Sequence, residues 1–380
     1  MYSVGAREKA AKVWTEGPAL TRLVLMTEDV LNRIGGAFGT QFNKRVRFIR
    51  DGSIFIAQSL EKCNYIEFKN TFSNKSRLNI SADWKQFDDH CYEELIVSDM
   101  GIFRSCFPRG DNIDNVFLYL TSSLVFKYVV LPGGYVYRID KGLPSGNPLT
   151  SVVGTLINWI LWSYIVCRMC KDDQKLINNS RLFLMGDDGN ISYDNRVDDS
   201  DIFSIIEETG FVSDIEFGET GNLFSAKDET GIKFLKKRFN YLGQPHWDYK
   251  GLWYNLYCPT SNVINAKKEY ERTTALLYVS PFDGKSTELL QDYRKFLQTK
   301  QAIEGAGIEW IGLYNKGRLA SQSIARSWFN MSHEPRLEGY KGEDDWFWRQ
   351  KRVFVRRGRD PTISNSYYIQ TDILNQNIKI

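Results

Sequence analysis

No excess of either charge runs through this sequence: 49 Lys and Arg face 46 Asp and Glu, a formal net charge of +3. Any surface for nucleic acid therefore has to be a local channel and not a field over the whole molecule. Cysteine is sparse, six in 380 residues, and no apolar leader opens the chain. Both features point to a reducing, cytosol-like compartment. The closest pair, Cys167 and Cys170, has no second CxxC and no nearby His, so the usual zinc spacing is missing. No apolar run reaches the roughly 20 residues that a bilayer needs: Val152 to Val166 is about 15 long and contains Asn158 and Ser163, which suits a buried helix. Complete phosphate loops are missing as well. Gly284-Lys-Ser-Thr287 looks like the end of a P-loop, but Val279 stands where its first Gly is required. Gly35-Gly-Ala-Phe-Gly39 follows no strand. Hydrophobic residues at 42% and aromatics at 14% exclude disorder, and the length suffices for two or three lobes.

What is present centres on Leu182-Phe-Leu-Met-Gly-Asp-Asp-Gly-Asn-Ile-Ser192. An alternating apolar segment broken by a Gly-flanked acidic pair predicts a β-hairpin whose turn exposes Asp187 and Asp188. Adjacent carboxylates repel, and a bound Mg²⁺ removes that cost, since it takes carboxylate oxygens and keeps positions open for phosphates. A solvated turn is the bland alternative, because Gly and Asp are ordinary turn residues.

Upstream, Arg77 to Asp83 alternates apolar and polar residues and predicts a strand that ends at a carboxylate. Asp88 follows in the turn, and Asp89 to Met100 has helical spacing; for Asp88 and Asp89, helix N-capping is the competing role. Gly142-Leu-Pro-Ser-Gly-Asn-Pro-Leu-Thr150 forms a Gly/Pro loop that enters the apolar helix, with Pro148 near the first turn. Thr150, Gly154 or Thr155, and Asn158 recur at helical spacing as a polar stripe. Buried polar groups need partners, so the stripe faces the acidic strands or a polar substrate.

The remaining segments are simpler. The first fifty residues are basic, with Arg7, Lys9 and Lys12 ahead of Arg22 and four cations between Lys44 and Arg50. Strands and loops that hold phosphates fit this pattern, and so does a solvated basic face. Ser200 to Thr209 reads as an amphipathic helix, and Ile232 to Leu242 as one strand with Lys236, Lys237 and Arg238 at its centre. From Pro245 onward helices dominate, at Ala266 to Tyr278 and Ser286 to Glu304, with Trp310, Trp328, Trp346 and Trp348 as anchors. Lys351 to Arg359 alternates cations with apolar residues, as an RNA contact or a charged edge strand would.

In this order the motifs resemble the palm of viral RNA-dependent RNA polymerases. Asp83-x4-Asp88 looks like motif A, Ser145-Gly146-x3-Thr150 like motif B, Gly186-Asp187-Asp188 like motif C, Ala226-Lys227-Asp228 like motif D, Phe234-Leu-Lys-Lys-Arg-Phe239 like motif E, and Arg22 like the arginine of motif F. The resemblance covers roughly residues 5 to 260. Gly142-Leu-Pro-Ser-Gly and Ile157-Asn158-Trp159 bring it closest to the partitivirus and picobirnavirus-like double-stranded RNA viruses.

The resemblance implies an α+β right-hand polymerase: fingers in 1–75 and 101–140, palm in 76–100 and 141–244, and a helical thumb with a C-terminal segment in 245–380. The abrupt basic start suggests incomplete N-terminal fingers. It implies two Mg²⁺ ions, or Mn²⁺, held by Asp83, Asp187 and Asp188, with Lys227 as general acid for the departing pyrophosphate. Nucleotide contacts would come from Arg22, Asp88, Ser145, Gly146, Thr150, Thr155 and Asn158, and RNA contacts from Arg7, Lys9, Lys236, Lys237 and Arg238. The family often carries Asn or Asp where this chain has Gly154, so Thr155 or Asn158 is expected to substitute in reading the ribose 2′-hydroxyl. The implied partners are RNA template and product strands, ribonucleoside triphosphates and a viral capsid protein, without a membrane span, in host cytoplasm or the virion interior. Asp88 in place of an aromatic residue weighs against a reverse transcriptase. A truncated or non-catalytic integrated viral copy that only binds RNA is the other alternative, and the intact acids and Lys227 weigh against it.

Overall fold

The computed structural model describes residues 1–8, 21–46 and 53–301, except 57, 59, 61–63, 73–75, 132, 218–232, 240–242, 248–250, 254–255, 257–265, 281 and 283. Alternating residues open the chain as β1 (Tyr2–Glu8), antiparallel to β2 (Thr21–Thr27). Helices α1 (Asp29–Val46) and α2 (Asn64–Phe72) follow, then β3 (Arg77–Trp84). After β3 come the single turn α3 (Phe87–His90), then α4 (Glu93–Ser105) and α5 (Asp111–Val125). The strands β4 (Lys127–Val130) and β5 (Val136–Ile139) form a hairpin, and β4 runs parallel to β1. One sheet, β2-β1-β4-β5, thus joins segments from two separate stretches of chain.

The long helix α6 (Thr150–Met169) leads through α7 (Gln174–Asn179) into the hairpin of β6 (Arg181–Met185) and β7 (Asp188–Asp194). Then come α8 (Ile202–Glu208) and β8 (Ser213–Phe217). The second sheet has the order β6-β7-β3-β8 and is antiparallel throughout. Its two faces differ because successive strand residues point to opposite sides. Ile80, Ala82 and Trp84 of β3 face the main core with Ile191 of β7, where α6 packs against α4, α8 and β6. Asn79, Ser81 and Asp83 face the other side, paired in register with Ser192, Asn190 and Asp188.

The apolar stretch forms a helix longer than the sequence suggests. By length and composition α6 is apolar enough to cross a membrane. Twelve of its residues are buried in the fold, among them Thr155 and Asn158, so it is a core helix.

A third, small sheet, β11-β10-β9, is built from β9 (Lys233–Phe234), β10 (Lys237–Phe239) and β11 (Pro245–Trp247). Here the expected single strand from Ile232 to Leu242 is corrected. Phe234 pairs with Lys237 across a two-residue turn in which Leu235 and Lys236 both have positive φ, 51° and 62°. That is the type I′ geometry, which matches the twist of paired strands. Alternation alone does not distinguish it from a continuous strand. Finally α9 (Ala266–Val279) and α10 (Gly284–Gln301) pack as a pair, close to the two helices expected there. The four later tryptophans and Lys351 to Arg359 lie outside the described residues.

Candidate active site

The site begins at the turn between β6 and β7. Met185 pairs with Asp188, which leaves Gly186 and Asp187 as the two turn residues. Gly186 has φ 61°, a conformation that costs glycine nothing and strains other residues. Asp188 is the direct cross-strand partner of Asp83. Such pairs share a face, with Cβ atoms about 5 Å apart. Asp83 thus meets the Asp187–Asp188 pair, more than a hundred residues away in sequence, at one end of the sheet. Of the two acids expected in an exposed turn only Asp187 is there, while Asp188 begins β7 and is half-buried, and β3 continues one residue past Asp83.

Their electrostatics show the strain of that meeting. Burial first, then the charges of Asp187 and Asp83, push the Asp188 carboxyl up to about 6, while Lys233 and Lys236 pull the other way. A divalent cation among these oxygens would relieve the repulsion, and a carboxylate-only donor set suits Mg²⁺. Among the described residues no group of three Asp, Glu, His or Cys side chains is placed to hold a metal ion by itself. The donor chemistry alone, carboxylates without His or Cys, fits a hard divalent cation whose other positions would fall to phosphates or water. One further carboxylate was not signalled by the sequence. Asp214 on β8 is the other cross-strand partner of Asp83, and it is paired with Lys85 at 2.7 Å.

The polar stripe of α6 lies directly behind the turn. Thr155 Oγ1 accepts the Gly186 N–H at 2.8 Å and donates to the Ser151 carbonyl. Asn158 Nδ2 donates to the carbonyls of Gly186, at 2.9 Å, and Asp188, at 3.2 Å. Its Oδ1 accepts from Trp84 Nε1 at 2.7 Å. Both side chains are fully buried. The expectation that Thr155 and Asn158 meet the nucleotide is therefore corrected: of the two options for the stripe, it faces the acidic hairpin. Gly189, just past the acids, has a packing reason too. A Cβ there would sit 3.1 Å from Leu184 and 3.2 Å from Trp162 Nε1.

The loop ahead of α6 is tied on two sides. Leu143 N donates to the Asp88 carbonyl at 2.7 Å, and Gly142 N to that of Cys91. This fixes half-buried Asp88 in the first turn of α3, where Gln86, and neither Asp88 nor Asp89, is the N-cap. On the other side, Gly146 N donates to Leu25 O of β2 at 3.0 Å. A Cβ on Gly146 would lie 2.4 Å from that oxygen, so only glycine allows the contact. The structure thus gives Gly146 a docking task, three residues from Arg22. Thr150 Oγ1 bonds to the carbonyls of Pro144 and Asn147 and closes the loop. Ser145 is half-buried in the same loop.

The basic residues divide. Lys236 is exposed at the tip of the β9–β10 turn, and Arg238 is half-buried on β10. Lys237 is buried with its ammonium over the Trp247 ring, which corrects its reading as an RNA contact. The tight turn causes this by reversing which residues face outward. Arg7 and Arg22 are register partners on β1 and β2. Lys9 and Lys227 lie outside the described residues. A cavity of about 420 Å³ between Tyr2, Glu28, Tyr119, Phe126 and Arg138 includes none of Asp83, Asp187 and Asp188.

Comparison with known proteins gives the family and the fold. The family model described as viral RNA-dependent RNA polymerase matches residues 21–268. The non-structural polyprotein 1AB of Mink astrovirus 1 is 26% identical over 148 residues, 36% of this chain and 10% of the polyprotein. The RNA1 polyprotein of Broad bean wilt virus 2 is 26% identical over 274 residues, 66% of this chain and 14% of the polyprotein. The crystal structure of the RNA-dependent RNA polymerase of a human picobirnavirus superposes with a TM-score of 0.62 at 14% identity, covering 93% of this chain and 65% of that one. Its insertion-loop deletion mutant gives 0.61 at 14% identity, over 87% and 63%. At these identities the solved structures show a shared mixed α+β fold. The chain spans about a tenth of the curated polyproteins and just under two thirds of the picobirnavirus chains. With a family match across well over half its length, its acids at the ends of adjoining strands and its fold in agreement, this chain belongs to the viral RNA-dependent RNA polymerases.

Proposed function

We propose that the protein catalyses template-directed RNA synthesis for viral genome replication and transcription, by in-line attack of a primer 3′-hydroxyl on the α-phosphorus of a ribonucleoside triphosphate. The observation that carries this reading is the cross-strand pairing of Asp83 with Asp188 beside the Asp187 turn. Asp83, Asp187 and Asp188 would hold two Mg²⁺, which when bound supply charge neutralisation at the attacking and leaving oxygens. Arg22 clamps the triphosphate, since guanidinium matches phosphate geometry. Asp88 meets the ribose 2′-hydroxyl, and Lys227 gives a proton to the departing pyrophosphate. Lys236 and Arg238 hold the primer backbone, contacts that position RNA without reading sequence.

The right-hand division supports the same reading. One sheet draws its strands from both 1–75 and 101–140, as a fingers lobe would, while the acids sit on the sheet of 76–100 and 141–244, the palm. The thumb would begin at 245, with α9 and α10 as its described helices. The likeness to the picobirnavirus fold supports a double-stranded RNA virus as the source; the virion interior or host cytoplasm as workplace and capsid protein as partner are part of the proposal.

Primer extension with labelled ribonucleotides on a homopolymeric template, wild type against Asp187→Asn, tests the proposal. Loss of extension in the variant, about 100-fold or more, is expected from removing a charge that the reaction centre requires. Incorporation by both proteins or by neither would sink it.

A further inference from the structure

We propose that Asn158 is a positioning residue that sets the Asp187 turn against the Asp83 strand, and that it makes no contact with nucleotide. The inference rests on the polymerase reading only for its kinetic test. Its geometry stands on the fold.

Asn158 sits on α6 behind the turn and uses three hydrogen bonds to join two separate strands. Both Nδ2 hydrogens go to the carbonyls that bracket Asp187, those of Gly186 and Asp188. The Oδ1 takes the indole N–H of Trp84, the residue immediately after Asp83. The orientation of the amide is forced. An indole N–H only donates and a backbone carbonyl only accepts, so flipping the amide would set like against like at all three contacts. One turn up the helix, Thr155 takes the Gly186 N–H, so that Gly186 is held at both its donor and its acceptor. Trp162, one turn down, lies 5.5 Å ring to ring from Trp84 and against the Cβ position of Gly189.

No other small side chain does this at the same reach. Asp lacks both donors and would place a carboxylate against two carbonyl oxygens. Leu keeps the volume and loses every bond. The amide is fully buried beneath the backbone of the turn, so a nucleotide cannot reach it. What passes through Asn158 is therefore the separation of the Asp83 and Asp187 carboxylates, which decides how well they share cations. Groups that orient ligands without touching the ion typically alter metal affinity or activity by about 10- to 100-fold.

The test uses the full chain with Asn158→Leu, Asn158→Asp, Trp84→Phe and Thr155→Val, with thermal melting as a check that each folds. Mn²⁺ binding is read from the loss of the free-ion electron paramagnetic resonance signal, which needs no turnover. Both Asn158 variants are expected to bind Mn²⁺ about 10-fold more weakly, and Trp84→Phe and Thr155→Val to weaken it in the same direction by less. In primer extension kcat falls with the Mn²⁺ affinity, while the KM for ribonucleotide and the ribo- to deoxyribonucleotide preference stay at wild-type values. A changed sugar preference with unaltered Mn²⁺ binding would return Asn158 to the nucleotide and overturn the proposal. Wild-type Mn²⁺ affinity in folded variants would overturn it too. If the Asn158 variants do not fold, Trp84→Phe and Thr155→Val decide by the same criterion. Should wild type prove inactive, the Mn²⁺ titrations still read the positioning role alone.

Discussion

Asp88 owes its place to a backbone bond, because its carbonyl is held by Leu143 N while its carboxylate remains half-exposed. With Thr155 and Asn158 turned toward the hairpin, the proposed contact to the ribose hydroxyl rests on Asp88. A hydrogen bond to a charged group contributes about 1.5–3 kcal/mol, so Asp88→Ala should lower ribo- over deoxyribonucleotide preference by roughly 10-fold or more. Competitive incorporation assays measure this, and an unchanged ratio defeats the assignment. Asp99 is a different case. It is fully buried on α4 with neither carboxylate oxygen hydrogen-bonded, and burial raises its carboxyl well above the ordinary range. Its folded-state pKa exceeds its unfolded one, so its contribution is fully present below about pH 4 and is lost as pH rises from there through the raised folded value. Asp99→Asn, which cannot ionise, should therefore flatten the fall in thermal stability between pH 5 and 7. Parallel slopes in the two proteins would show that Asp99 stays ionised.

At the scale of elements, the sequence spoke clearly where one period persisted. The β6–β7 hairpin, the end of β3 near Asp83 and the helices α9 and α10 were readable, because alternation or helical spacing ran unbroken and Gly186 marked the turn. The β9–β10 hairpin was not readable. Leu235 and Lys236 adopt positive φ without being Gly, Asn or Asp, so nothing local announces the turn. Nor does periodicity show that α6 turns its stripe to the hairpin and not to substrate, since both need the same polar residues. Glycines carry the next prediction, as two of them are dictated by neighbours and not by backbone angle. Gly146→Ala drives a methyl into the Leu25 carbonyl, and Gly189→Ala presses on Leu184 and Trp162. Overpacking of this kind costs about 1–3 kcal/mol. Gly146→Ala should cost more, because it meets rigid backbone and must part the loop from β2. Urea unfolding of both variants gives the order, and a smaller loss for Gly146→Ala than for Gly189→Ala would contradict it.

At the scale of the molecule, the sheet that carries Asp83 and Asp188 has a second core that no single stretch reveals. Phe68 and Phe72 of α2, Phe183 of β6, Phe234 and Phe239 of the β9–β10 hairpin, Phe55 and Phe282 form one buried cluster on the face opposite α6. Phe68 is at its centre, stacked on Phe234 and Phe239 with centroids 5.5 and 4.6 Å away, and edge-on to Phe183 at 5.3 Å. Phe68 and its partners are distant in sequence, so their partnership is a product of topology. The same packing seats the turn that carries Lys236 beside the acids: the Lys233 carbonyl accepts from Ser81 Oγ at 2.8 Å and from Asn190 Nδ2 at 3.1 Å, both on the Asp83 face of the sheet. Removing a buried Phe side chain costs about 3–5 kcal/mol, and here the loss falls on the hairpin that carries Lys236, the residue proposed to hold primer. Phe68→Ala should therefore do two things at once, lowering the urea midpoint and raising the primer concentration needed for half-maximal extension, with the KM for nucleotide left alone. Phe68→Leu, which keeps most of the volume, should restore much of both. If stability falls while primer affinity holds, the β9–β10 hairpin is anchored by its backbone bonds to Ser81 and Asn190, and the aromatic cluster serves the fold without aligning the site.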